Sequence, residues 1–157
     1  MLNSAKYFIL LLILITSCKE SNSTNEKSGS TSKIDYNIAL EFINEYNKEF
    51  FNPTSTSIDW LSKNKYASQN LIKSYKQLQD EAEAADPELG LDFDPILSGQ
   101  DSDEEGFEIK KIDSINNYVT VRGKSLPDFE IIIKLIENDG KTLVDGSGVL
   151  NIPKSKY

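Results

Sequence analysis

The spacing of apolar residues changes once along this chain, and that change fixes which folds are open to it. Up to about Ala85 the apolar positions recur every three to four residues, and after Glu105 they alternate. Period 3.6 marks one buried face of a helix, and period 2 marks one buried face of a strand. Ile38, Phe42, Ile43, Tyr46 and Phe50 form the first helical stripe, which must stop at Asn52-Pro53 because proline has no N–H to continue the ladder. Ser32, with Asp35 three residues later, is its expected start. Ser57 is expected to cap a short second helix carrying Ile58, Trp60 and Leu61. A third runs from about Ala67 to Ala85 with Leu71, Ile72, Tyr75, Leu78 and Ala82 on one face. Four strands are expected at Phe107 to Ile112, Tyr118 to Arg122, Phe129 to Ile136 and Thr142 to Ile152. Asn138-Asp139-Gly140 reads as a tight hairpin turn, since these residues tolerate positive φ. Apolar residues on both faces of the third strand place it centrally. Gly146 and Gly148 mark a bulge or a close backbone approach. Helices followed by strands give an α+β domain over residues 34–157, with the helices packed on a four-stranded antiparallel sheet.

Two segments precede that domain. Met1 to Lys6 carries one positive charge, Tyr7 to Ile15 is an unbroken apolar run, and Thr16-Ser17 are small. This is the anatomy of a secretory signal peptide, residues 1–17. The apolar run is too short for a membrane-spanning helix, which needs about 20 residues. Lys19 to Lys33 contains no apolar residue and cannot offset the entropy of ordering, so residues 18–33 are expected to form a disordered tether reaching roughly 20–23 Å.

Ile15-Thr16-Ser17-Cys18 resembles the bacterial lipobox, with Ile in place of the commoner Leu. The resemblance implies cleavage before Cys18, a diacylglyceryl group on its sulfur and acylation of the new amine. Cys18 is the single cysteine of the chain, so an internal disulfide is ruled out as its purpose. Two or three acyl chains hold a protein stably at a membrane, where one does so only marginally. The residue after Cys18 is Lys19, not the aspartate that signals inner-membrane retention in Gram-negative bacteria, so the resemblance implies the outer membrane, on its periplasmic or outer face.

Composition removes whole classes of chemistry. There is no histidine, and beyond Cys18 there is no thiol. Ser-His-Asp and Cys-His catalysis, His/Cys zinc sites and His-held haem are all excluded. Losing Lys6 with the signal peptide takes the net charge from −8 to −9, the wrong sign for a nucleic-acid partner. No cofactor and no enzymatic activity are expected. Ser62-x-x-Lys65 lacks the companion motifs of the penicillin-binding enzymes, and Gly140-Lys141-Thr142 lacks the first glycine of a P-loop.

The acidity is local. Between Asp80 and Glu105 there are eleven carboxylates and no Lys or Arg, while the rest of the mature chain sums to +2. Within this stretch, Asp92-Phe93-Asp94-Pro95 followed by Gln100-Asp101 resembles the D-x-D-P…Q-D string of a family of bacterial domains of unknown function, common in small lipoproteins. That resemblance covers roughly residues 38–152 and implies a nuclear-transport-factor-two-like cone. Family members often carry an aromatic residue before the last strand, where this chain has Leu143. The family brings no catalytic residues. Three roles compete for Asp92, Asp94, Gln100 and Asp101. They shape a loop by accepting backbone N–H groups, they dock a cationic envelope or secreted protein, or they help hold calcium. Asp101-Ser102-Asp103-Glu104-Glu105-Gly106 imitates the opening of an EF-hand, but Ile112 stands where its bidentate Glu is required, which leaves at most a looser calcium site. The leading expectation is a non-catalytic, lipid-anchored binding domain. An immunity protein against a secreted toxin, or a small-ligand-binding or enzymatic module of the same fold, are the alternatives.

Overall fold

The computed structural model describes residues 34–156, so the signal peptide and the whole of the 18–33 segment, Cys18 and Ser32 included, lie outside the described residues. Three helices, α1 (Asn37–Phe51), α2 (Ser57–Lys63) and α3 (Gln69–Ala85), precede four strands, β1 (Phe107–Asp113), β2 (Tyr118–Gly123), β3 (Glu130–Asn138) and β4 (Lys141–Ser147). The strands form one open antiparallel sheet in the order β1-β2-β3-β4. The domain is α+β, as the two periods require.

Helix boundaries follow side-chain oxygens. α1 starts at Asn37, whose N–H is accepted by Asp35 Oδ1 at 3.0 Å. Ala39, Phe42, Ile43 and Tyr46 are its buried stripe. Thr56 rather than Ser57 caps α2, accepting the Asp59 N–H at 3.2 Å. Ser68 caps α3, accepting the Leu71 N–H at 3.0 Å, so the helix begins two residues later than the apolar pattern suggests. The lost residues have another use. Ser68 N donates to Val144 O and Val144 N to Tyr66 O, so residues 66–68 lie along the free edge of β4. That edge is thereby covered.

In the sheet, Ile131, Ile133 and Leu135 of the central strand β3 face the helices, beside Val119 and Val121 of β2. They enclose a core with Phe42, Ile43, Leu61, Leu71 and Phe107. Asp139 (φ 50) and Gly140 (φ 78) make the two-residue turn between β3 and β4. The last strand ends at Ser147, five residues before the expected Ile152. Gly148 turns the chain with φ 56, and Ile152 folds back over Gly146, where an added Cβ would lie 3.0 Å from Ile152 Cδ1. Alternating apolar residues continue past 147, but the backbone does not. Among the described residues no helix is long and apolar enough to cross a membrane.

Candidate functional site

The 92–101 loop folds around Asp94. Its Oδ1 accepts the N–H groups of Ile96 (2.8 Å) and Leu97 (2.9 Å), the local turn that aspartate favours because its short side chain reaches two and three residues ahead. Asp94 N donates to Gly99 O at 2.8 Å and Gly99 N returns a bond at 3.3 Å, closing the ring of residues 94–99. Inside the ring, Ile96 and Leu97 are fully buried. The other carboxylate oxygen accepts the hydroxyl of Tyr46, which also shares a 3.0 Å hydrogen bond with Ser57 Oγ. From the opposite side, Ser147 Oγ donates to Ile96 O at 3.0 Å and Val149 N to Pro95 O at 3.0 Å. The loop is thus a plug that ties α1 to the end of β4.

Burial raises the pKa of Asp94 above the usual aspartate range, and the bonds from Tyr46, Leu97 and Ile96 only partly offset this. Burial and the neighbouring Asp94 charge push the Tyr46 hydroxyl up as well, so it remains a donor at every physiological pH. Because folded Asp94 holds its proton more tightly than the unfolded chain does, its contribution to stability falls as pH rises between the unfolded value, about 4, and the raised folded value. Asp94→Asn, which cannot titrate, is expected to lack this slope. Urea midpoints of the two proteins measured across that window should diverge as pH falls, in favour of wild type; parallel curves would refute the assignment.

Asp103 is a second inward carboxylate, and sequence reading missed it. It is fully buried, and it accepts Ser125 Oγ–H and Glu105 N–H at 2.8 Å each, and the N–H groups of Ser125 and Leu126 at 2.7 Å each. Burial alone would raise its pKa, but the Ser125 hydroxyl and these three N–H groups outweigh it and hold the group below the usual range. Next to it, Asn47 Nδ2 donates to Asp103 O at 2.8 Å and Ser102 Oγ bonds Asn47 Oδ1. The EF-hand-like stretch is therefore a structural joint between α1 and the β2–β3 turn. Asp145 is a third inward carboxylate. It is the extra residue of the β4 bulge, bonded to Ser68 Oγ and Asn70 Nδ2 and ion-paired with Lys134 at 2.9 Å. Among the described residues no group of three or more Asp or Glu is gathered to hold a metal.

What the loop shows to solvent is different. Asp92, Gln100 and Asp101 are exposed, with Gln100 Nε2 pinned to Asp92 O at 2.9 Å, while Asp94 points inward. The structure thus separates the four singled-out residues into one half-buried, inward-facing keystone and three surface groups. Glu104 and Glu105 are also exposed. Of the acidic residues from Asp80 to Glu105, Asp80 alone is in an ion pair among the described residues, with Lys76. No protein-family model matches this chain, and no match to a curated protein or to a solved structure was found.

Proposed function

We propose that this protein is a lipid-anchored cell-envelope protein, held through Cys18, whose domain binds another protein through its acidic surface and carries out no catalysis. The observation that carries this reading is the exposure of Asp92, Asp101, Glu104 and Glu105, none of which is in an ion pair among the described residues. Carboxylates held on hydrogen-bonded loops repel one another and gain from a cationic partner, which they also steer into encounter. The filled space between helices and sheet favours a surface partner over an enclosed small ligand, because Ile96, Leu97, Tyr46 and Phe42 occupy it. The order of helices and strands, with bulges between Ile109 and Lys111 and between Lys134 and Leu135 that bend the sheet, fits a nuclear-transport-factor-two-like cone.

A photo-crosslinking residue at position 101, in cells, tests the interface. It is expected to give an adduct with a basic envelope or secreted protein. The adduct should be lost when Asp92, Glu104 and Glu105 are replaced by Asn, Gln and Gln, with the urea midpoint unchanged. Cys18→Ala in the same experiment should release the chain from the membrane fraction. An adduct that survives neutralisation would end the acidic-interface reading, and a chain whose fractionation ignores Cys18 would end the anchor.

A further inference from the structure

The fold has two ends, and the tether enters at one of them. Asp35 N donates to Thr142 Oγ1 at 2.9 Å and the Tyr36 hydroxyl to Asn117 Oδ1 at 3.2 Å. The start of α1 therefore lies beside both the β1–β2 and the β3–β4 turns. The other end of the sheet holds the β2–β3 turn and the acidic 101–105 stretch, where Asp103 accepts the Ser125 and Leu126 N–H groups. The lipid tether, residues 18–33, thus joins the domain opposite its acidic loops.

At the tether end Ile112 and Ile115 are exposed, and Ile115 is the more prominent. Ile115 is 91% exposed, more than any other large apolar residue described. Single exposed apolar residues are ordinary, but this one stands on a braced turn. Asp113 Oδ1 accepts Asn116 N–H at 3.2 Å and Asp113 Oδ2 accepts Asn116 Nδ2 at 2.9 Å. Asn117 takes φ 58 and its carbonyl accepts Leu135 N–H at 2.8 Å. Lys156 Nζ offsets the Asp113 charge at 3.4 Å and lies 4.4 Å from the centre of the Tyr118 ring. Lys154, on the same C-terminal turn as Lys156, and Lys111 are exposed and, among the described residues, in no ion pair. An apolar tip with an aromatic ring and lysines behind it has the chemistry of a membrane–water interface, where such lysines reach headgroups while their stems stay with the apolar layer. The β3–β4 turn, with Glu137, Asp139 and Lys141, offers no comparable tip.

We propose that the β1–β2 turn is a membrane contact: Ile115 enters the bilayer interface while Lys111 and Lys154 face anionic headgroups. This rests on the Cys18 anchor. The fifteen residues after Cys18 hold the domain at a millimolar effective concentration near the surface, so a contact too weak to bind from solution is enough to orient it. The acidic loops then face away from the anionic lipid, toward incoming partners.

Ile115→Cys and, at the opposite end, Leu126→Cys carry an environment-sensitive dye in the lipidated full chain, whose Cys18 sulfur is blocked by its diacylglyceryl group. Both are placed in phosphatidylethanolamine vesicles containing phosphatidylglycerol. Brominated lipid is expected to quench the dye at position 115 several-fold more than at position 126, with a blue shift at position 115 alone. Equal quenching at the two sites, or none at position 115 in a vesicle-bound chain, overturns the contact while leaving the anchor intact. A chain without lipid mass on Cys18 overturns the anchor and this contact together.

Discussion

Asp103→Ala is expected to lower the stability of the domain by about 3–5 kcal/mol, because three backbone N–H groups and one hydroxyl lose a charged acceptor at once. The buried site offers them nothing else. Asp103 Oδ2 lies 2.5 Å from where a Cβ on Gly123 would be, so the carboxylate fits against bare backbone and no side chain can take its place. Ser125→Ala removes only the hydroxyl bond and should cost about 1 kcal/mol. Asp101→Ala, two residues away and exposed, should stay within about 0.5 kcal/mol. Urea unfolding of the three variants checks this order. A loss at Asp103 no larger than that at Asp101 would show that water replaces the bonds and that the joint contributes little. The pH dependence has the opposite sign to that of Asp94. Folded Asp103 has a lowered pKa, so its stabilising effect is complete above the unfolded value, about 4, and disappears as pH falls through the folded value.

Gly148→Ala should cost a similar amount, about 3–5 kcal/mol, for a different reason. Part of it is conformational, since φ 56 is a backbone region that alanine enters at a cost of about 1–2 kcal/mol. The remainder is steric. The new Cβ would sit inside contact distance of Pro95 O and 2.6 Å from Ile96 O, both backbone atoms of the plug. Gly140→Ala separates the two parts. Gly140 has φ 78 but nothing within 4 Å of its added Cβ, so it should lose only the conformational share. Equal losses at the two glycines would mean that the 94–99 ring shifts freely, against the picture of a plug clamped between Tyr46 and the end of β4. Combined with Asp94→Ala, the Gly148 change should be less than additive, since both loosen the same ring.

The helices and strands were legible because burial on one face writes a period into the sequence. Phe42, Ile43 and Tyr46 repeat as a helix must, and Ile131, Ile133 and Leu135 as a strand must. Boundaries were less legible. Thr56 caps α2 where Ser57 was the expected cap, Ser68 caps α3 where the helix was expected to begin near Ala67, and β4 stops at Ser147 although apolar residues continue to Ile152. In each case a side-chain oxygen or a close approach from a distant segment decides the end, and periodicity does not register either.

The acidic stretch divides along the same line. The sequence alone determined that Asp80 to Glu105 is a concentrated run of carboxylates without cations, that histidine and thiol chemistry is absent from the domain, and that the chain must make helices and then a sheet. It could not tell Asp94, half-buried, and Asp103, fully buried, both facing inward and hydrogen-bonded, from Asp92 and Asp101, which face water. All four have the same side chain, and what separates them is whether donors from far along the chain arrive to meet it. For Asp94 the decisive donor is Tyr46, 48 positions away, and for Asp103 the N–H groups of Ser125 and Leu126, 22 and 23 positions away. Such donors offset the desolvation of a carboxylate, partly at Asp94 and fully at Asp103, and those donors are assembled by tertiary structure alone.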